Sequence, residues 1–408
     1  MLPIHEAIRR MMPAFAPLAP ERVSLDAALG RHLVAPLTTR QDAPPFDNSA
    51  MDGWAVRAED LTTACRERPV TLPAAGESRA GGGVVRHEPG TATRIFTGAP
   101  LPPGADAVVA QEDTERRDGE VAFFVAPSPG RHVRARGSDL RAGAPLLPSG
   151  HRLSPGTVAL LASQGIGAVT VRRRPRVAIL STGDELRELG EPATPSTIVN
   201  SNAPMLAALV REAGAVPRLV PKTADDREAV AAALAGALDD DVLITTGGVS
   251  VGDYDVVREA YAQVGIDASF WKVAVKPGKP LTFGRHGSTP VVGLPGNPVS
   301  AFVTFFVFVR PGLRRMLGDP TPFPAARHVR LLQPYEHRPG RSELVRARLT
   351  PEGAELHPRQ GSGAIPSLAW ADALVVIPAD IPRIEAGETV LALPLRDEAS
   401  ATSPFGGP

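Results

Sequence analysis

The strongest constraint on the fold is a regular alternation of two sequence patterns between residues 176 and 316. Short apolar runs rich in β-branched residues are typical of strands, at residues 177–180, 216–220, 242–245 and 291–294. Segments with apolar residues at helical spacing follow such runs, near residues 204–213, at 227–238 and at 299–316. Strands that alternate with helices form parallel sheets, because each helix returns the chain to the same edge. We therefore predict a doubly wound α/β domain at residues 175–320.

The sequence before residue 175 predicts two further units. Residues 1–43 carry two apolar faces at helical spacing, the first at Ile4, Ala7, Ile8 and Met11 and the second through residues 23–29. Short β-type runs between Gly and Pro turns follow, at residues 70–72, 93–97, 107–111 and 121–125. A helix at residues 155–164 and a strand that ends at 171 come next. We predict a β-rich module, residues 44–142, inserted into a helical linker domain formed by residues 1–43 and 143–174.

The sequence beyond residue 323 contains strand patterns only. Apolar runs between turns occupy residues 328–332, 344–349, 373–377 and 389–393. We predict a C-terminal β domain at residues 324–396 and a disordered tail at 397–408, where small and polar residues dominate. The predicted fold class is multidomain, α/β plus β.

The composition favours a small-molecule ligand. The formal net charge of +0 provides no long-range field for nucleic acid or an anionic membrane. The one cysteine, Cys65, allows no intrachain disulfide, and the nine histidines lack zinc-type spacing. Residues 1–10 do not resemble a signal peptide, and the most apolar run, 301–309, is far shorter than the roughly 20 residues of a membrane span. We expect a cytoplasmic protein without nucleic-acid or membrane partners, and a buried helix at 301–309.

Lysine is rare and locally concentrated. The chain has only four lysines, Lys222, Lys272, Lys276 and Lys279, and arginine supplies every other basic side chain apart from histidine. A cluster of ammonium groups, stiffened by Pro277 and Pro280, suits phosphate or another oxyanion. Chance, or a solvated turn, is the alternative explanation.

Glycine-rich and polar loops follow three predicted strands, at residues 181–185, 246–255 and 295–300. Ligands of open parallel sheets bind beyond the carboxyl ends of the strands, where such loops converge. Glycine lets backbone N–H groups approach an anion, and helix N-termini favour negative charge. We predict a pocket for a phosphorylated ligand built mainly from residues 245–255 and 272–300. Each loop alone could equally cap a helix.

Carboxylates accompany these loops, and they indicate magnesium. They are Asp184, Glu185, Asp225, Asp226, Asp253 and Asp255. Magnesium in a phosphate site uses one or two carboxylates together with the substrate. The alternatives are an N-cap for Asp184, a helix start for Asp225 and Asp226, and a first helical turn for Glu185. Neither a GxxxxGK[ST] loop nor a GxGxxG motif after a strand is present, so ATPase and dinucleotide-binding functions lack support.

Several long motifs follow one another along the chain: PFDNSAMDG at 45–53, TGA at 97–99, RGSD at 136–139, STGDE at 181–185, TGGVSVG at 246–252, KPGKP at 276–280 and GLPGNPVS at 293–300. In these motifs and their order the chain closely resembles the molybdopterin molybdotransferases, the MoeA and gephyrin E-domain family of molybdenum cofactor biosynthesis. The match spans nearly the whole chain.

This resemblance implies a four-part subunit: the inserted module, the linker or dimerisation domain, a molybdopterin-binding α/β domain of the MoaB and Mog type, and a C-terminal β-barrel-like domain. It implies a homodimer in which the inserted module of one subunit completes the α/β site of the other. The implied reaction inserts molybdate into adenylylated molybdopterin and releases AMP, with Mg²⁺ present. The implied protein partners are the molybdopterin adenylyltransferase and molybdoenzyme apoproteins.

The resemblance also implies roles for particular residues. Anionic groups are assigned to Lys272, Lys276 and Lys279. Metal or pterin contacts are assigned to Glu185, Asp225 and Asp255. The partner subunit is expected to supply Asp52, Thr97 and Asp139. The pocket is expected to be shaped by Gly247, Gly248, Ser250, Pro295 and Pro298.

The chain departs from the family at Trp54, where tyrosine is usual, which we interpret as a packing change that leaves Asp52 intact. Asp52 and Gly53 could instead form an ordinary hairpin turn. The loop of Gly361, Ser362 and Gly363 resembles that of the family, and we assign it no catalytic role. Two alternatives are a molybdopterin adenylyltransferase, which lacks the extra domains, and a noncatalytic scaffold for cofactor delivery.

Overall fold

A six-stranded sheet forms the centre of the computed structural model, which describes residues 1–224, 226–247 and 254–395, with the side chains of residues 254–256 excepted. Its strands, in chain order, are β1 (Arg176–Ser181), β2 (Val216–Leu219), β3 (Val242–Thr246), β4 (Asp267–Phe270), β5 (Thr282–His286) and β6 (Thr289–Leu294). Their spatial order is β2-β1-β3-β6-β5-β4. The helices around the sheet are α1 (Asn202–Glu212), α2 (Arg227–Ala235), α3 (Tyr254–Gln263) and α4 (Pro298–Thr304).

Helices cover both faces of this sheet, which confirms the predicted doubly wound arrangement. On β1, Val177 and Ile179 belong to one buried cluster, together with Leu206 of α1. Ala178 belongs to a second cluster, together with Leu234 of α2. Successive residues of a strand point to opposite faces, so a continuous apolar run indicates burial on both.

The sheet is mixed, which the strand–helix alternation did not predict. Strands β2, β1, β3 and β6 are parallel, whereas β5 runs antiparallel to β6 and β4 runs antiparallel to β5. Only Gly287 and Ser288 connect β5 to β6, and Gly287 has a φ of 56°. A two-residue connection can join only antiparallel strands, and such turns require positive φ.

The apolar run 301–309 is buried, as predicted. It extends α4 through a π-helical segment, Phe305–Val309, into a further helix, Arg310–Met316. Phe305, Phe308 and Val309 have no solvent exposure. In the part of the chain that is described, no helix has the length and apolarity needed to cross a membrane.

The predicted helical structure of residues 1–43 is confirmed for the first helix but is wrong for much of the segment after it. A helix spans Ile4–Met11, but Pro20–Ser24 is a strand that pairs antiparallel with Ala168–Arg172, and only Leu25–Ala28 is helical beyond it. Val23 lies opposite Val169 in this pair. The apolar spacing at residues 23–29 therefore combines the end of a strand with one helical turn. The predicted helix at 155–164 is confirmed as Pro155–Ser163.

Residues 35–167 form a compact unit of their own, and the other unit contains residues 1–34 and the chain from 168 onward. The first unit holds a six-stranded sheet, in the order Ala107–Ala110, Gly53–Val56, Ala92–Ile95, Val70–Ser78, Glu120–Phe123 and Thr114–Arg117. Its core includes Trp54, which is buried as expected for a packing residue. The division into linker domain and inserted module stays a prediction.

The C-terminal residues form a further sheet, and its first strand comes from the lysine segment. The order is Val275–Lys276, Ser342–Leu349, Ala373–Ile377, Thr389–Pro394 and Arg327–Arg330. The strand Ala354–Leu356 pairs with Ser342–Leu349. Leu331, which directly follows the strand Arg327–Arg330, forms a β-bridge with Ala354. The short helix Pro366–Trp370 contributes Ser367 to the buried residues.

Candidate functional site

A cavity of about 320 Å³ lies at the carboxyl ends of β1, β3 and β6. Its lining comes from the predicted strand-end loops and from the segment that leads into α1: Ser181, Thr182, Glu185, Leu186, Ile198, Val199, Asn200, Ser201, Asn202, Thr246, Gly247, Pro280, Pro295, Gly296, Asn297 and Pro298. This size is within the range of small-molecule sites. The described parts of the three predicted loops converge on this cavity, whereas residues 248–253 of the second loop lie outside the described residues.

Hydrogen bonds hold the strand ends together around the cavity. The Thr182 N–H donates to the Thr246 carbonyl oxygen at 3.1 Å, and the Thr246 hydroxyl donates to the Pro295 carbonyl oxygen at 3.2 Å. Asn202, the first residue of α1, donates its amide group to Thr246 Oγ1 at 2.9 Å and to the Gly296 carbonyl oxygen at 2.7 Å. Asn202 is not among the residues predicted for the site, and an asparagine at a helix start is by itself typical of a simple cap.

Gly247 is required by its backbone. Its φ is 91°, and a Cβ atom would lie 2.1 Å from the Thr182 carbonyl oxygen. Any other residue would therefore separate β1 from β3 at the cavity wall. The prediction that Gly247 shapes the pocket agrees with this geometry.

Glu185 lines the cavity and is exposed, but it does not begin a helix. It lies in a turn between β1 and the short strand Leu186–Arg187, which pairs parallel with Ile198–Val199. The predictions of an N-cap at Asp184 and a first helical turn at Glu185 are therefore wrong. The Glu185 carboxylate folds over Gly183, whose absent Cβ would lie 2.6 Å from Glu185 Oε2.

The three clustered lysines lie outside the set of cavity-lining residues, although Pro280 of the same segment belongs to it. Lys272 and Lys279 are exposed. Lys276 Nζ forms an ion pair with Glu343 Oε1 at 2.9 Å, where the lysine side chain is 45% exposed and the glutamate 1%. The structure thus places one of the predicted anion-binding groups beside a buried carboxylate of the C-terminal sheet.

Glu343 is part of a buried polar group in the C-terminal sheet. The Tyr335 hydroxyl donates to Glu343 Oε1 at 2.9 Å. Burial, followed by the Glu343 charge, raises the pKa of Tyr335. Arg346 is fully buried and donates to Ser367 Oγ at 3.2 Å and to the Gly361 carbonyl oxygen at 3.1 Å, and burial lowers the pKa of Arg346.

The loop of Gly361, Ser362 and Gly363 reaches the rim of the cavity. Asn297 Nδ2 donates to Ser362 Oγ at 3.0 Å, and the Val299 N–H donates to the Ser362 carbonyl oxygen at 3.2 Å. Sequence inspection gave this loop no role in the site. Its Gly-Ser-Gly composition was the one available signal.

Asp52 and Thr97 are brought together, in the unit of residues 35–167. Asp52 Oδ1 accepts hydrogen bonds from the Thr97 N–H at 2.7 Å and the Thr97 hydroxyl at 2.8 Å. The backbone bond, followed by the hydroxyl bond, lowers the pKa of Asp52. Asp139 is exposed in the same unit, and its N–H donates to the Ala43 carbonyl oxygen at 2.9 Å.

Gly53 begins a strand, so the alternative of a hairpin turn at residues 52–53 is wrong. A Cβ atom at Gly53 would lie 2.0 Å from the Val109 carbonyl oxygen of the neighbouring strand. The glycine is needed for this close approach. Asp52 is thereby fixed at the entry to the strand.

Several predicted site residues lie outside the part of the chain that the structure describes. Asp225, Gly248, Ser250 and Asp253 are not among the described residues, and Asp255 is described only as a backbone position within α3. Within the ranges 1–224, 226–247 and 254–395, no group of three or more His, Cys, Asp or Glu side chains could hold a metal ion.

A doubly wound α/β domain with a polar strand-end cavity, combined with β-rich modules, defines a multidomain ligand-binding protein. Three family models match the chain: the "MoeA N-terminal region (domain I and II)" over residues 2–165, the "Probable molybdopterin binding domain" over 178–315, and the "MoeA C-terminal region (domain IV)" over 328–395.

Curated relatives match over almost their full length. Molybdopterin molybdenumtransferase 2 of Mycobacterium tuberculosis is 40% identical, over 94% of this chain and 95% of the relative. Molybdopterin molybdenumtransferase of Bacillus subtilis is 36% identical, over 99% and 96%. A solved structure of the molybdopterin biosynthesis MoeA protein from Pyrococcus horikoshii has a TM-score of 0.83 and 30% identity, with 97% and 100% of the two chains covered. The chain belongs to the MoeA family of molybdopterin molybdenumtransferases, enzymes of molybdenum cofactor biosynthesis.

Proposed function

We propose that the cavity at the ends of β1, β3 and β6 binds adenylylated molybdopterin, and that molybdate is inserted at its dithiolene sulfurs with release of AMP. The observation that carries this proposal is the convergence of three polar strand-end loops on one cavity, with the Glu185 carboxylate exposed at its wall. Pro295 and Pro298 stiffen the backbone of that wall, and Gly247 allows the close approach of β1 and β3 there.

Magnesium fits the donor set at this wall. The Glu185 carboxylate is exposed, and magnesium needs only one or two carboxylates when substrate phosphate and water complete its shell. We therefore propose Glu185 as a ligand, with Asp225 and Asp255 as the further candidates. Bound magnesium would stabilise negative charge on the phosphate of the leaving AMP.

Lysine side chains are proposed to bind the anionic parts of the substrates. Molybdate is a tetrahedral dianion, so it requires ammonium, guanidinium or N–H donors. Lys272 and Lys279 are exposed on the segment that reaches the cavity through Pro280. Lys276 keeps 45% of its side chain exposed, so Glu343 can orient its ammonium group without enclosing it.

We also propose a homodimer with a shared site, in which Asp52, Thr97 and Asp139 of one subunit face the cavity of the other. The Thr97 bonds keep Asp52 ionised and fixed in direction while it stays exposed, as suits a residue that meets a ligand. The proposed division into a linker domain, an inserted module, an α/β domain and a C-terminal domain belongs to the same hypothesis. The enzyme that supplies adenylylated pterin and the apoproteins that receive the cofactor are the proposed protein partners.

The test supplies adenylylated molybdopterin, Mg²⁺ and molybdate to the full chain, and follows AMP release together with cofactor formation. The Glu185→Gln variant, which nearly keeps the side-chain shape, should lose most of both products and bind Mg²⁺ more weakly. Glu212→Gln is the matched control, because that exposed side chain at the end of α1 is not among the residues that line the cavity. If the wild-type protein releases no AMP, the proposed reaction is wrong.

A further inference from the structure

Most polar side chains around the cavity are already hydrogen-bonded within the protein. Asn200 Oδ1 accepts from Ser181 Oγ at 3.3 Å and from the Ala203 N–H at 3.2 Å, and Asn200 Nδ2 donates to Glu188 Oε1 at 3.3 Å. Thr246 Oγ1 accepts a hydrogen bond from the Asn202 amide and donates one to the Pro295 carbonyl oxygen. These groups therefore support the wall and have little capacity left for a ligand.

Two buried atoms of the same wall differ from them. Thr182 Oγ1 and Asn202 Oδ1 have no hydrogen-bond partner within the described part of the chain. Thr182 is 3% exposed and Asn202 is 8% exposed, and both residues line the cavity. Other buried side-chain atoms of the described residues also lack a partner, but among them only these two belong to residues that line the cavity. Buried polar atoms in native proteins are usually satisfied, and at a cavity wall a ligand can supply the missing partner.

The orientation of the Asn202 side chain is fixed by its neighbours. Its amide nitrogen donates to the Gly296 carbonyl oxygen, which can only accept. A flipped amide would place two oxygens 2.7 Å apart. Asn202 Oδ1 is therefore the acceptor that needs an N–H or O–H donor from outside the protein.

The need for a donor at Asn202 Oδ1 excludes the anionic groups of the substrates as its partner. Ionised phosphate and molybdate carry only acceptor oxygens, so neither can satisfy Asn202 Oδ1. The group that binds here must carry an N–H or O–H donor and, for the Thr182 hydroxyl, an acceptor. Amino-substituted heterocycles have both on one edge, and the substrate contains two of them, the pterin and the adenine.

We propose that Asn202 Oδ1 accepts a hydrogen bond from the amino edge of the pterin ring, and that the Thr182 hydroxyl binds the neighbouring ring carbonyl. This inference rests on the proposed function, because it assigns the pterin end of the substrate to this cavity. Thr182 and Asn202 both lie within residues 178–315, which match the model of a probable molybdopterin-binding domain. The two residues thus determine specificity for the pterin and orient the dithiolene for molybdate.

Thr182→Val is the decisive variant, because it removes the hydroxyl and nearly keeps the shape. The hydroxyl has no partner in the described residues, so thermal stability should stay equal or increase. The affinity for pterin-6-carboxylate, followed by its fluorescence, should decrease about 5- to 20-fold, and KM for adenylylated molybdopterin should increase similarly. Thr182→Ser should restore both values. AMP affinity should not change.

Thr304→Val is the control for a buried threonine. Thr304 is fully buried, its hydroxyl donates to the Ser300 carbonyl oxygen at 2.7 Å, and it is not a lining residue. That variant should lose stability and keep pterin affinity. If Thr182→Val destabilises too far to be studied, Thr182→Ala provides the same loss of the hydroxyl.

The Asn202 acceptor is tested from the ligand side. Lumazine-6-carboxylate has an oxygen where the pterin has its amino group, so two oxygens would meet at Asn202, and wild-type affinity should be about 10-fold lower. Equal affinity for the two ligands would overturn the Asn202 assignment. Unchanged pterin affinity and KM in Thr182→Val, or a loss of AMP affinity instead, would overturn the pterin assignment while wild-type turnover still supports the proposed function. Failure of the wild type to bind pterin or to turn over would remove both.

Discussion

At the scale of single residues, close backbone approach decides which positions tolerate change. Gly247 and Gly296 face each other in the cavity wall, but they differ in what a side chain would meet. A Cβ at Gly247 would lie 2.1 Å from the Thr182 carbonyl oxygen, at a φ of 91°. A Cβ at Gly296 would lie 3.5 Å from Gly247 Cα, which is an ordinary contact.

We therefore expect Gly247→Ala to lower the free energy of unfolding by more than about 2 kcal/mol, since it combines a disfavoured φ with a backbone clash. Gly296→Ala should change it by less than about 1 kcal/mol. Urea denaturation of both variants measures the difference. A loss in Gly247→Ala as small as that expected for Gly296→Ala would show that the close approach at Gly247 is not required.

Asp52 provides a prediction about pH. The Thr97 N–H, followed by the Thr97 hydroxyl, lowers the pKa of Asp52 in the folded protein. A lowered folded pKa means that the contribution of Asp52 to stability is complete above its unfolded pKa, about 3.9. That contribution disappears as the pH falls through the lower folded value.

Thr97→Val should raise the Asp52 pKa only part of the way to its usual range, because the backbone N–H remains. Thr97→Ser, which keeps a hydroxyl, should leave it nearly unchanged. Carboxyl-detected NMR titration reads the Asp52 pKa directly. A wild-type value within the usual range of aspartate would contradict the hydrogen-bond geometry.

At the scale of elements, one short strand connects the lysine segment to the C-terminal sheet. Val275–Lys276 pairs parallel with the start of Ser342–Leu349, and the Lys276–Glu343 ion pair reinforces this pairing. Glu343 is 1% exposed, and its carboxylate contacts Lys276, the Tyr335 hydroxyl and, at 3.9 Å, His337 Nε2. Removing one partner of such a pair leaves an uncompensated buried charge.

Lys276→Met should therefore lower the free energy of unfolding by about 1–3 kcal/mol, a figure reduced because the lysine is partly exposed. Adding Glu343→Gln should recover most of the loss, as a double-mutant cycle would show. Lys279→Met, at an exposed lysine of the same segment, should have almost no effect on stability. Additive effects of Lys276→Met and Glu343→Gln would exclude the coupling. If the double variant regains stability but not turnover, Lys276 also serves the substrate.

At the scale of the whole molecule, the proposed shared site can be tested by mixing two inactive proteins. Asp52→Asn and Glu185→Gln alter the two proposed halves of the site, which belong to different compact units. Random mixing makes half of the dimers mixed, and each mixed dimer has one intact site of two, so about a quarter of the wild-type rate should return.

The control for this experiment mixes Asp52→Asn with Asp139→Asn, which alter the same proposed half. In the mixed dimers of this pair every intact cavity faces a half altered at Asp52 or at Asp139. No complete site forms, so their rate should stay near that of the separate variants. Absence of recovery in the first mixture, with exchange of subunits verified by mass, would restrict the site to one subunit.

Local patterns determined a large part of this fold. Burial on one or two faces produces the periodicities of helices and strands, so the alternation at residues 176–316 predicted β1, β2, β3 and β6 and the helices α1, α2 and α4. It did not predict α3, β4 or β5. The topological rule for parallel sheets then located the cavity at the strand ends before any contact was known. The resemblance to the family could likewise be seen in the sequence, because each motif is a continuous stretch of residues.

Contacts between distant residues were decided only by the tertiary structure. No local pattern reveals that Val23 pairs with Val169, that Lys276 meets Glu343, or that Ser362 reaches the cavity rim. The difference between Asn200 and Asn202 is of the same kind, because the sequence shows two similar asparagines and only the folded neighbours show which oxygen lacks a donor. Sequence periodicity indicates whether a residue is buried. Which residue it contacts depends on how whole helices and strands pack, and this packing decides which polar atoms are left without a partner in the protein and can bind a ligand.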